Sequence, residues 1–262
     1  MSNELLRGKT ALITGASSGL GADFARQLAQ QGCRLILVAR RAEKLQALRI
    51  ELFERHAVEV DTVAMDLSAP DAPQELFDRI KARGLTVDVL INNAGYAVYG
   101  AFHQMEWERC RQMLELDVVA LTHLTRLFAA DMVQRKSGYI LQIASTGAFQ
   151  PTPMYAAYAA AKSYVLYFSE ALHYELRPSG VNVTVLCPGV TRTEFFDVAG
   201  QEMTAFQRLT AMNSADVARL GLRALFGNRS CVVAGPVNAA LAALCPLFPR
   251  QFMAGMAARM MK

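Results

Sequence analysis

Paired cysteines are missing from this chain. Cys33, Cys110, Cys187, Cys231 and Cys245 stand apart with no C-x-x-C spacing, and the four histidines form no ligand cluster. That pattern argues against a disulfide framework and against zinc, so no metal site is expected, and isolated thiols suit a reducing compartment. A basic block is missing too. Net charge is +4 with acidic and basic residues interspersed, which gives no footprint for nucleic acid. Met1 to Lys9 is polar and lacks the apolar core of a secretory signal. No apolar run reaches the about 20 residues of a spanning helix. The uncharged stretch from Ser230 to Pro249 is interrupted by Pro236, Asn238, Pro246 and Pro249. Internal repeats, low-complexity linkers and a clear domain boundary are also absent. A cytoplasmic protein is expected.

What is present is a chain of 262 residues, 53% hydrophobic and 19% charged, enough to fill the core of one α/β domain spanning 1–262. Apolar β-branched runs alternate with helical periods, the pattern of a parallel sheet covered by helices on both faces. Expected strands are Thr10–Thr14, Arg34–Val38, Glu59–Met65, Val87–Ile91, Gly138–Ala144, Val181–Leu186 and Cys231–Val233. Expected helices are Gly19–Gln31, Ala42–His56, Ala72–Arg83, Met105–Lys136, Met154–Arg177 and Ala215–Phe226. Arg192 to Met212 reads as less regular, a flap over a site. Pro236 is expected to break the chain after the last strand, leaving residues 237–262 as an apolar tail. That tail carries Leu241, Leu244, Leu247, Phe248, Phe252, Met253, Met256, Met260 and Met261 beside Arg250, Arg259 and Lys262. It fits either short helices packed on the domain or a sister subunit, or a peripheral membrane contact.

The chemistry concentrates in three residues. Tyr158 and Lys162 are spaced i, i+4, and Ser145 ends an apolar run upstream of them. A tyrosine serves as general acid only when its pKa is brought down toward working pH, and a lysine one helical turn away favours the phenolate. A serine hydroxyl beside them holds a carbonyl oxygen. The constellation predicts proton transfer to an oxygen.

A hydride carrier is suggested by the first strand–helix junction, where Gly15-Ala-Ser-Ser-Gly19-Leu-Gly21 follows Thr10–Thr14. Gly15, Gly19 and Gly21 permit a tight turn, and Ser17, Ser18 and Leu20 lie in the same loop at a helix N-terminus suited to a pyrophosphate. The spacing differs from the G-x-G-x-x-G fingerprint. The second strand ends in Arg40-Arg41, where an acid would bind the ribose 2′-hydroxyl of NAD and an arginine accommodates the 2′-phosphate of NADP.

With these residues in place the chain resembles the short-chain dehydrogenase/reductase family over nearly its whole length. The matching motifs are Thr14-Gly15-x-x-x-Gly19-x-Gly21, Asp66-Leu67, Asn92-Asn93-Ala94-Gly95, Ser145, Tyr158-x-x-x-Lys162 and Pro188-Gly189-x-x-x-Thr193, in family order. The resemblance implies a Rossmann-type doubly wound parallel sheet of about seven strands. It places Asp66 and Leu67 near the adenine, Asn92 to Gly95 along the cofactor cleft, and Pro188, Gly189, Val190 and Thr193 at the nicotinamide end. It implies hydride transfer from NADP(H) to a carbonyl, with Tyr158 as acid, Lys162 supporting Tyr158 and binding the nicotinamide ribose, and Ser145 orienting the carbonyl. It also implies a homodimer or homotetramer through the helices at Met105–Lys136 and Met154–Arg177.

One position departs from the family. Asp117 stands where an asparagine is usual, and a carboxylate there raises the pKa of Lys162 and of Tyr158 if it lies close to them; alternatively it only replaces a local helix hydrogen bond. Three readings follow: an NADPH-dependent carbonyl reductase acting on a hydrophobic substrate, a nucleotide-binding sensor or scaffold with little catalysis, and a membrane-surface lipid or ketone reductase. Segments expected to face the pocket are Tyr96–Phe102, Thr146–Tyr155 and Val190–Met212.

Overall fold

The computed structural model describes residues 6–260. The expectations placed on Met1 to Leu5, Met261 and Lys262, and on the Met260 side chain, lie outside what is described.

In chain order the elements are β1 (Thr10–Thr14), α1 (Gly19–Gln30), β2 (Arg34–Ala39), α2 (Ala42–His56), β3 (Val60–Ala64), α3 (Ala72–Ala82) and β4 (Val89–Asn92). They continue with α4 (Trp107–Leu114), α5 (Leu121–Gln134), β5 (Gly138–Ile143), α6 (Ala156–Leu176), β6 (Val181–Cys187), β7 (Thr191–Arg192), α7 (Phe195–Ala199) and α8 (Ala205–Thr210). The chain closes with β8 (Met212–Asn213), α9 (Ser214–Phe226), β9 (Cys231–Val233), α10 (Pro236–Leu244) and α11 (Arg250–Met260). Every expected strand and helix is present, with ends shifted by one or two residues in most.

Seven strands pair in parallel in the order β3-β2-β1-β4-β5-β6-β9 among the described residues. Side chains alternate across such a sheet, so neighbours along one strand feed opposite cores. Ile13, Leu35, Leu37, Ile91 and Leu141 pack with Phe24, Leu28, Leu48 and Leu222 on one face. Leu12, Ile36, Val38, Leu90 and Ile140 pack with Leu76, Ile80, Leu124 and Phe128 on the other. Strand order reverses between β1 and β4, which opens a crevice at the carboxyl ends of the strands.

Two details differ from expectation. The long helix expected from Met105 begins at Trp107 and is interrupted by a π-helical segment, Glu115–Ala120, that joins α4 to α5. Pro236 does not break the chain but opens α10 as its first residue. Its fixed φ suits a helix start, where its missing N–H is no loss. No helix among the described residues is long and apolar enough to cross a membrane.

Candidate active site

A cavity of about 950 Å³ runs across the carboxyl ends of the strands. Its first wall is the turn between β1 and α1. Gly15 has φ +65°, and a side chain there would stand 2.8 Å from the Ala94 Cα. Gly21 lies behind that wall, where a Cβ would fall 2.3 Å from the Gly15 carbonyl oxygen. Asn93 fixes the turn from the neighbouring strand by donating its side-chain amide to the Thr14 carbonyl at 3.0 Å. Ser17, Ser18, Gly19, Leu20, Asp66, Leu67, Asn93, Ala94 and Gly95 all line the cavity, as do Pro188, Gly189, Val190 and Thr193. Asn92 corrects the expectation that all four residues from Asn92 to Gly95 face the cleft. It is buried, and its side-chain amide donates to the Thr125 hydroxyl at 3.0 Å.

The two arginines after β2 are not equivalent. Both are exposed and line the cavity, but Arg40 only approaches Asp66, at 4.0 Å. Arg41 donates to the Ser17 hydroxyl at 3.1 Å and to the Ser18 hydroxyl at 2.8 Å. Its Nη1 meets the Glu194 carboxylate at 2.8 Å, and Lys44 Nζ meets the other oxygen at 2.6 Å. Lys44 first, then Arg41, pull the Glu194 carboxyl down to about 2. The cluster thus already accommodates an anion. A glycine-lined turn, a helix N-terminus and an arginine with two hydroxyls suit a phosphorylated dinucleotide.

Ser145, Tyr158 and Lys162, the trio expected from the sequence, all line this cavity. Ser145 lies two residues beyond β5 and caps a short 3₁₀ turn, its Oγ accepting the Gly147 amide at 3.1 Å. Tyr158 and Lys162 project from α6 on one face. Ser145 lines the same cavity as Tyr158, and Lys162 Nζ lies 5.6 Å from the Tyr158 ring centre. Lys162 is buried and donates to the Ile143 carbonyl at 3.1 Å.

Asp117 sits in the π-helical segment and reaches this group directly. It is fully buried. Its Oδ1 accepts the Tyr96 amide at 3.2 Å, and its Oδ2 forms an ion pair with Lys162 Nζ at 3.0 Å, out of line for a hydrogen bond. The approach is possible because residue 95 is glycine: a Cβ there would stand 2.6 Å from Asp117 Oδ1. Burial pushes the Asp117 carboxyl up, with the Lys162 charge opposing it. The Tyr158 phenol is raised well above its ordinary value, first by burial and then by the Asp117 charge, with the Ser145 hydrogen bond pulling the other way.

Several contributors were not marked by any motif. Phe195, near the start of the flap, packs against Tyr158 with the rings tilted and their centres 5.6 Å apart. Glu194 and Lys44 complete the charged cluster; only adjacency to Thr193 hinted at Glu194. The tail forms the roof: Leu241, Ala242, Cys245, Met253, Met256 and Ala257 line the cavity from α10, α11 and the turn between them.

Comparison with known proteins agrees with this geometry. The short chain dehydrogenase family model matches residues 9–204. A short-chain dehydrogenase from Sphingobium yanoikuyae, solved in complex with NADPH, is 34% identical with a TM-score of 0.83, covering 94% of this chain and 95% of that one. A bulky-bulky ketone specific alcohol dehydrogenase from Comamonas testosteroni is 29% identical with a TM-score of 0.79, covering 94% of each chain. A very-long-chain 3-oxoacyl-CoA reductase from Bos taurus is 31% identical over 193 residues, 71% of this chain but only 61% of its own length. The nucleotide turn, the Ser145–Tyr158–Lys162 group and these matches have one common reading: the chain belongs to the short chain dehydrogenase family and is an oxidoreductase that uses a nicotinamide cofactor.

Proposed function

We propose that this protein is an NADP(H)-dependent reductase of bulky, apolar ketones. The observation that carries the reading is the continuity of the cavity. The same cavity is lined by Arg41 with Ser17 and Ser18, by the trio, and by Met253, Met256 and Leu241. The Arg41 cluster favours a 2′-phosphate over a free ribose hydroxyl. The roof favours a substrate with apolar bulk.

Bound NADPH supplies the hydride. The Ser145 hydroxyl holds the carbonyl oxygen against the Tyr158 hydroxyl, which orients the carbonyl and polarises it. Tyr158 then gives its phenolic proton to the oxygen as negative charge develops there. Lys162, fixed by Ile143 and Asp117, stands near the ring and favours the phenolate left behind. The expectation that Lys162 brings the phenol down is not met: burial and then Asp117 raise it, so the proton stays on Tyr158 until negative charge develops on the substrate oxygen.

A sensor or scaffold without catalysis rested on Asp117 alone, and the assembled trio beside that residue favours turnover. The exposed helices support a homo-oligomer, since Trp107 on α4 and Tyr164, Tyr167 and Tyr174 on α6 present large apolar surface. A contact with an anionic membrane surface is supported by Leu244, Leu247, Phe248 and Phe252, all exposed on the outside of the roof. From Val217 to Lys262 the chain has no acidic residue. Flotation with anionic vesicles, with and without residues 237–262, tests it; failure of the intact chain to float ends that reading.

The central test is a panel of ketones followed by NADPH absorbance, with Tyr158→Phe beside the wild type. Turnover of a diaryl or long-chain ketone is expected, falling about a hundredfold or more in the variant while NADPH still binds. Equal turnover in the variant removes Tyr158 as the acid.

A further inference from the structure

We propose that Glu194 is a built-in competitor for the cofactor's 2′-phosphate, so that NADPH releases the flap that carries this residue, Arg192 to Met212, and NADH leaves it latched. The inference rests on the reading that Arg41, Ser17 and Ser18 receive that phosphate. The Glu194 carboxylate already occupies this cluster, at 2.8 Å from Arg41 Nη1 and 2.6 Å from Lys44 Nζ. The two cations are the charged groups that face it, and Ser18 is the hydroxyl that also reaches it. A carboxylate and a phosphate monoester repel one another, and Arg41 cannot satisfy both with the same guanidinium edge. NADH brings a neutral hydroxyl to the same place and has no charge with which to displace Glu194.

The consequence reaches the catalytic group through adjacent residues. Glu194 immediately precedes α7, whose first residue is Phe195. The Phe195 ring lies 5.6 Å from the Tyr158 ring, so a shift of Glu194 away from Arg41 pulls on a ring that packs against the general acid. The preceding residue, Thr193, presses on the nucleotide turn: a Cβ at Gly19 would stand 2.9 Å from its methyl carbon. One short segment therefore touches the phosphate cluster, the glycine turn and Tyr158. Differential affinity of the two cofactors for latched and released states is what allows either to shift the flap.

The test is titration of wild type and Glu194→Gln with NADPH and with NADH, followed by nucleotide fluorescence without substrate. In the variant, NADPH affinity is expected to rise about three- to tenfold, the scale of exposed ion pairs removed from competition. NADH affinity is expected to stay within about twofold, and it reports the integrity of the rest of the cleft. Unchanged NADPH affinity, or equal changes for both cofactors, overturns the proposal. A wild type that binds NADH as tightly as NADPH instead overturns the underlying cofactor reading. Hydrogen exchange across Phe195–Ala199 supplies a second readout: it should be faster with NADPH than with NADH in the wild type, and alike in the variant. Equal exchange in the wild type contradicts the release.

Discussion

Asp117 Oδ2 lies 3.0 Å from Lys162 Nζ, and both side chains are buried. Two charges taken out of water need each other, because losing one leaves the other uncompensated in a low dielectric. The pair therefore does more than fill the place of the usual asparagine. It ties the π-helical segment to α6 and puts a negative charge within reach of Tyr158.

The first prediction concerns pH. With Tyr158 as the proposed acid and base, alcohol oxidation needs its phenolate and rises as pH passes the phenol pKa, whereas ketone reduction needs the proton and is lost across the same range. Burial is the larger cause of the raised phenol and Asp117 is the second. Asp117→Asn removes only the second, so the Tyr158 pKa falls and both limbs move to lower pH. Profiles of kcat/KM against pH in the two directions check this. Limbs that stay in place would show that the carboxylate charge is not felt at Tyr158, and limbs that move upward would reverse the sign.

A second prediction tests how closely the pair is enclosed. Gly95→Ala places a methyl 2.6 Å from Asp117 Oδ1 and 3.2 Å from Lys162 Nζ, so the pair must separate or the loop must move. Overpacking of this kind costs about 1–3 kcal/mol. Gly255→Ala is the control. Nothing lies within 4 Å of a Cβ there, and the position is helical, so a gain of about 0.5–1 kcal/mol is expected. Urea midpoints of the two variants measure both. A Gly95 variant as stable as the wild type would mean that the enclosure is loose.

Much of this arrangement was legible before the fold was known, and the reasons are physical. Strands buried on both faces, such as Leu35-Ile-Leu-Val38, have no other use for so many β-branched and aliphatic residues. Tyr158 and Lys162 share a face because four residues make about one helical turn. The π-helical segment was not legible, since an i→i+5 bond leaves no mark in the sequence of Glu115–Ala120. Asp117 beside Lys162 was one of two readings open from the sequence, and which one held depends on which way that segment turns. The tail was ambiguous because both of its sides are apolar. Met253 and Ala257 turn inward while Leu247 and Phe252 turn outward, and only packing separates them.

The two arginines after β2 give a third prediction. Arg41 holds the Ser17 and Ser18 hydroxyls, while Arg40 reaches no closer than 4.0 Å to Asp66. A charged hydrogen-bond partner lost from a phosphate is worth about ten- to a hundredfold in affinity. Arg41→Ala is expected to weaken NADPH binding by that much and to leave NADH nearly unaffected. Arg40→Ala should weaken NADPH by less than about fivefold, the scale of an exposed charge. Equal losses from the two substitutions would contradict the division of labour.

The roof supplies the last prediction. Met256 lines the cavity from α11, on the same helix as buried Met253 and Ala257. Methionine adapts to irregular volumes, and a rigid indole in its place fills space that a second bulky ketone substituent would need. Met256→Trp should therefore discriminate by size. A diaryl ketone is expected to lose about ten- to a hundredfold in kcat/KM, the cost of about 1–3 kcal/mol of overpacking. A small cyclic ketone, held at Ser145 and Tyr158 without reaching the roof, should change little. NADPH affinity provides the internal check, because Met256 is not among the partners of Arg41, Ser17 and Ser18. Parallel loss for both ketones would mean that the tail sets the shape of the catalytic group itself and does not merely limit the room beyond it.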